Sequence, residues 1–184
     1  AINQSGKLEF KDNSLKEQTK NALIAASRNP KSAIRNAAIN QLGKFKGSDV
    51  VAAIYAGLQD SSYNVMSSAL QSLAKADSAN ALATLKKYLD YPSFRNRVAN
   101  NASTTLAKID SLQAITASFE KAKYGMEVPT RFTALGILNK YGRGRSDVLA
   151  FCVSLLNDKN QGIRSTAART LGNIGDETAI SALE

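Results

Sequence analysis

Apolar residues recur along this chain in a phrase that repeats every 31 to 33 residues. A leucine anchors each phrase, at Leu42, Leu73, Leu106, Leu138 and Leu171. An alanine stands four residues before each anchor (Ala38, Ala69, Ala102, Ala134, Ala167). Three residues after come Phe45, Ala76, Ile109, Tyr141 and Ile174. Ile34, Ala38, Leu42 and Phe45 are thus spaced 4, 4 and 3, which places them on one stripe of a helix. A second apolar set precedes each phrase, for example Val50, Val51, Ile54, Tyr55 and Leu58, or Val148, Leu149, Cys152, Val153 and Leu156. It too has helical spacing, so every period predicts two helices.

The first helix of each pair is expected to open at a capping residue: Ser14, Ser48, Ser78, Asp110 and Ser146. An oxygen there accepts a bond from an otherwise unpaired N–H of the first turn. Ser14 with Glu17 matches a capping box. Short turns join the helices of a pair: Arg28-Asn29-Pro30, Asp60-Ser61-Ser62, Asp90-Tyr91-Pro92-Ser93, Tyr124-Gly125 and Asn157-Asp158-Lys159. One hairpin cannot bury both of its apolar faces. Stacking on its neighbours does so, and a fixed period of this length is the mark of a stacked repeat. Gly43 and Gly172, with Ala74 and Ala107 in the same register, are small where a helix end meets the next unit. The expectation is an all-α solenoid, a right-handed superhelix of about five two-helix repeats with a truncated sixth. Residues 1–13 lack the period and read as an extended or disordered lead-in; residues 14–184 are the array. Residues 176–183 start another first helix and stop, which suggests a piece of something longer.

Composition narrows the chemistry. There is no histidine and one cysteine, so the ligand sets of zinc sites and the Ser-His-Asp and Cys-His catalytic groups are missing. No catalytic, metal or cofactor residue is assigned, and no cofactor is expected. One cysteine makes no internal disulfide; Cys152, within Phe151-Cys152-Val153, reads as a buried space-filler. No stretch of about 18 apolar residues is present, so no membrane span is expected.

Two units depart from the pattern. The third has a lengthened turn through Tyr91-Pro92-Ser93, and the fourth runs through Tyr124-Gly125 to Pro129 just before its second helix. The repeat phrase resembles that of HEAT proteins. The two irregular turns, in adjacent repeats and in this order, resemble the C-terminal HEAT-type region of bacterial aminopeptidase-N-like zinc metallopeptidases. That resemblance covers roughly residues 14–184. It implies a non-catalytic accessory portion packed on a peptidase core, cytoplasmic, periplasmic or secreted. The zinc-binding His-Glu-x-x-His motif of that family is not in this chain. The arginine expected early in each second helix is present as Arg35, Arg131 and Arg164, but Met66 and Ala99 take its place in units two and three. These arginines are expected to reach turn acids such as Asp60 and Asp158.

The net charge is +9, from 24 basic and 15 acidic residues. Two residues after four anchor leucines stand Lys44, Lys75, Lys108 and Lys140. Stacking would align them along one edge, either as a strip for an anionic partner or as complements to their own helix ends. Asn36, Asn40, Ser67, Gln71, Asn100, Thr104, Ser165 and Arg169 lie off the apolar stripe and are expected to line the inner face that solenoids offer to partners. A protein is the expected partner. Nucleic acid is disfavoured, because no aromatic residues interleave the basic ones. The alternative to the peptidase-linked reading is a free-standing protein-interaction scaffold.

Overall fold

The computed structural model describes residues 13–174, and these are helical throughout their regular parts. Ten α-helices follow in chain order: α1 (Asn13–Ala26), α2 (Ser32–Leu42), α3 (Ser48–Gly57), α4 (Tyr63–Ala76), α5 (Ser78–Tyr88), α6 (Arg97–Ile109), α7 (Ser111–Ala122), α8 (Val128–Tyr141), α9 (Ser146–Ser154) and α10 (Gln161–Ile174). Short 3-10 turns occupy Phe94–Asn96 and Leu155–Asn157. In chain order the ten helices alternate as the first and second helices of five repeats, an α-solenoid, as the period requires. Residues 1–12 of the expected lead-in and the expected sixth unit lie outside the described residues; Asn13 is already helical.

The described residues form two compact units, one made of residues 13–93 with 97–105, the other of residues 94–96 with 106–174. In the first, α2 packs on α4, α1 on α2 and α3 on α4. In the second, α8 packs on both α7 and α10, and α9 on α10. All five anchor leucines are at most 1 % exposed, and all five alanines at most 2 %. The alanines are small so that helix backbones can approach. In the second unit Leu135, Leu138, Cys152, Ile163, Ala167 and Leu171 belong to one buried cluster.

The third register position behaves less uniformly. Phe45, Ala76 and Ile174 are buried, Tyr141 is half-buried, and Ile109 is 38 % exposed. Ile109 ends α6, and the chain turns at once: the Asp110 N–H donates to the Leu106 carbonyl while its carboxylate caps α7 through the Gln113 N–H at 3.0 Å. Asp110 is the cap expected from the sequence. At α5 the cap is Asp77, which accepts from the Asn80 N–H, and Ser78 is the first helical residue. Ser48 and Ser146 are likewise first helical residues, preceded by Gly47 and Arg145. There the next carboxylates, Asp49 and Asp147, accept from the Val50 and Val148 N–H groups, both at 2.9 Å. Ser14 lies inside α1, where it accepts from Gln18, and Glu17 pairs with Lys20 at 2.7 Å.

Gly43 is required by close approach rather than by backbone conformation, since its φ is −59°. A Cβ there would lie 2.9 Å from the Ser72 Cα and 2.8 Å from its Oγ. That hydroxyl donates to the Ile39 carbonyl at 2.8 Å and ties α4 to α2. Gly43→Ala is expected to destabilise by roughly 1–3 kcal/mol, the usual cost of overpacking a tight contact. Urea denaturation checks it, with an unchanged midpoint counting against the contact. Gly172, in the same register, has nothing within 4 Å among the described residues.

Candidate functional site

Two arginines of the second helices form clamps between repeats, each within its own compact unit. Arg35 of α2 reaches the turn after α3, where its Nε and Nη2 donate to the two carboxylate oxygens of Asp60 at 2.6 and 2.8 Å. Its Nη1 also donates to the carbonyls of Asn29 and Pro30. Arg131 of α8 reaches the turn after α9 and grips both oxygens of Asp158 through its Nη1 and Nη2, at 3.0 and 2.5 Å, with its Nε on the Ala122 carbonyl at 2.8 Å. Paired, planar geometry of this kind suits a guanidinium and a carboxylate. The Arg131–Asp158 pair is nearly sealed, with side chains 3 % and 5 % exposed, against 16 % and 10 % for Arg35–Asp60. The arginine bonds hold both aspartates below the usual carboxylate range, outweighing burial, which acts the other way.

The same aspartates also hold their own turns. Asp60 accepts from the Ser62 N–H and Asp158 from the Asn160 N–H, two residues on. Asn29 makes the equivalent bond to the Lys31 N–H without a charge. Arg164 of α10 donates to the Asp158 and Lys159 carbonyls, as Arg35 does to Asn29 and Pro30. The clamp arginines are therefore structural, as their register predicts.

The four lysines after the anchors are all exposed: Lys44 and Lys75 in the first unit, Lys108 and Lys140 in the second. Lys140 sits 5.2 Å from the Tyr141 ring centroid. At α4 the cation that meets the helix end is Lys46, from the preceding repeat, whose Nζ donates to the Lys75 and Ala76 carbonyls at 2.6 and 3.2 Å. Such a cation offsets the negative end of a helix.

The polar residues of the second helices divide into two groups. Several bridge neighbouring repeats: Asn36 accepts from Ser68 at 2.7 Å, Gln71 donates to Asn101 at 3.3 Å, and Asn173 donates to Asn139 at 3.0 Å. Asn40, Thr104, Ser165 and Arg169 are exposed, and Ser67 and Asn100 are half-buried. Asn40, Thr104 and Arg169 share one register, two residues before their anchor leucines. These side chains can donate and accept hydrogen bonds to a partner backbone.

Residues 19–107 and 119–184 match the profile of HEAT repeats. The chain belongs to the HEAT-repeat family. A designed armadillo repeat protein, YIII(Dq)4CqI, has a similar structure, with a TM-score of 0.50 and 13 % identity over 100 % of this chain and 92 % of that one. At that identity the likeness concerns the fold alone. A comparison with curated proteins gives no match. HEAT arrays commonly bind proteins on stacked helix faces, and among the described residues of this one no helix is long and apolar enough to cross a membrane.

Cys152 is 0 % exposed in α9, and burial pushes its thiol up to about 11. A thiol held this way supplies almost no thiolate near neutral pH. It is expected to stay unreacted with a chromogenic disulfide reagent in buffer and to react fully in denaturant. Stoichiometric labelling of the folded chain would contradict its burial.

Proposed function

We propose that this HEAT array is a non-catalytic protein-interaction scaffold that needs no cofactor and receives its partner on the second-helix face. The observation that supports it is the register of Asn40, Thr104 and Arg169. The anchor leucines are wholly inside, while two residues earlier Asn40, Thr104 and Arg169 leave their side chains in water on three of the five second helices; Gln71 is half-buried and residue 136 is glycine at the same position. The flanking lysines favour a partner with acidic character.

The test places a photo-crosslinking amino acid at Asn40 or Thr104, with Thr116 on a first helix as the control. Capture of a polypeptide at the first two positions and not at the third is expected, unaffected by nuclease. Equal capture at all three, or capture of nucleic acid alone, would end this reading.

In its finer form the scaffold is the C-terminal HEAT portion of an aminopeptidase-N-like zinc metallopeptidase, and its partner is the catalytic core of the same polypeptide. The two irregular turns, through Tyr91-Pro92-Ser93 and Tyr124-Gly125, are what support it. A His-Glu-x-x-His motif in the reading frame upstream of Ala1 is the expected finding; an unrelated upstream frame sinks the peptidase link and leaves the scaffold.

A further inference from the structure

A groove of about 420 Å³ opens in the second unit between the turn after α7 and the C-terminal end of α9. Its counterpart in the first unit, between α1 and α3, measures about 270 Å³. The repeat makes the two directly comparable. Aligning Arg131 with Arg35 and Asp158 with Asp60 puts Tyr124 in the place of Arg28, Phe151 in that of Ala53 and Leu155 in that of Gly57. One groove is floored by alanine and glycine with Asp49 and Asp60 beside Arg28. The other carries Phe151, Leu155 and Tyr124, with Lys123 and Lys159 around them.

The second groove is built from a break in the repeat. Gly125 has a φ of +96°, a conformation suited to glycine, and the turn leaves Tyr124 68 % exposed. The bond from Arg131 to the Ala122 carbonyl holds the end of α7 against it. The Lys159 Nζ lies 5.1 Å from the Tyr124 ring centroid. Lys123 pairs with Glu120 in an exposed i,i+3 contact, a weak interaction that a ligand carboxylate can replace. The one acid in the wall, Asp158, has both oxygens on Arg131. An exposed aromatic ring, an apolar floor and two cations form the composition of an interface anchor.

We propose that this groove is a docking site for an acidic segment of a partner protein, seating one apolar side chain on Phe151, Leu155 and Tyr124 with neighbouring carboxylates on Lys159 and Lys123. The proposal rests on the scaffold reading and names its partner chemistry. The volume is at the low end for ligand pockets and suits a single side chain with adjoining backbone. A nucleic acid would use the lysines and the exposed Tyr124 ring and leave Phe151 and Leu155 uncovered.

The test is an amide NMR titration of the full chain with the capped peptide GDDLDDG, up to about 1 mM, the range where weak single-anchor contacts register. Expected are shifts confined to Tyr124, Phe151, Ser154 and Lys159, with about tenfold weaker binding for GDDADDG and for the Tyr124→Ser or Lys159→Glu variants. Both residues are exposed, so the rest of the variant spectra should be unchanged. No shift at the groove, equal shifts around Ala53 and Ala56, or an oligothymidylate moving the same amides in wild type and Tyr124→Ser would overturn it. Photo-capture at Asn40 or Thr104 with a silent groove removes this site and leaves the scaffold standing.

Discussion

Arg131→Ala is expected to lower stability by about 3–5 kcal/mol, because it leaves the Asp158 carboxylate buried without its partner. In a chain of 184 residues that corresponds to a fall in Tm of roughly 6–20 °C, followed by circular dichroism on heating. The size follows from burial. Both side chains are almost out of water, so the lost bonds are not replaced by solvent. Arg35→Ala, at a more open pair, should cost visibly less. A shift for Arg131→Ala no larger than for Arg35→Ala would refute the ranking. Acid should act on the same bonds. Asp158 has its folded pKa below the unfolded value of about 3.9, so its contribution is complete above that pH and is lost as pH falls through the lowered folded value. Asp158→Asn should therefore begin less stable and lose less between pH 5 and pH 2, and parallel loss in both proteins would contradict the assignment.

Leu138→Ala should cost roughly 2–5 kcal/mol, the range for emptying a closed core site. Leu138 is 0 % exposed and belongs to the buried cluster of the second unit. Ile109→Ala, equally apolar in sequence and in the same repeating phrase, should cost clearly less, about 1 kcal/mol, since only part of its side chain is taken out of water. Ile109 is already 38 % in water. Guanidinium denaturation of the two variants side by side decides the point. Similar losses would mean that the register, rather than the burial, sets the energy.

The anchor leucines and their alanines were legible because each repeats five times at one position and every copy is buried. The caps were legible only to within a residue. Asp77-Ser78 and Asp110-Ser111 each offer two capping side chains in succession, and local pattern does not choose between a carboxylate and the hydroxyl beside it. The aspartate caps in both. The clamp arginines could be assigned from their register because the acids they need sit in the turn of the following repeat, 25 and 27 residues on. The helix-end cation at α4 could not, since Lys46 acts on a helix whose end lies 29 and 30 residues further along the chain. The Tyr124 groove was hidden for a similar reason. Its turn stood out as irregular, but Phe151 and Lys159 join it only through the stacking of two first helices.

Asn29, Asp60 and Asp158 close their turns with the same bond, and of these three side chains only the two carboxylates also take a guanidinium. In both acids Oδ1 serves the turn and the guanidinium together, while Oδ2 serves the guanidinium, so an amide-for-acid exchange acts mainly on the clamp. Asp60→Asn is expected to keep the turn bond on Oδ1 and to lose the Oδ2 acceptor of Arg35 Nε together with the charge, which weakens the tie to the neighbouring repeat. Repeat arrays of this kind could be loosened at a chosen joint, one atom at a time, without redrawing the hairpins on either side.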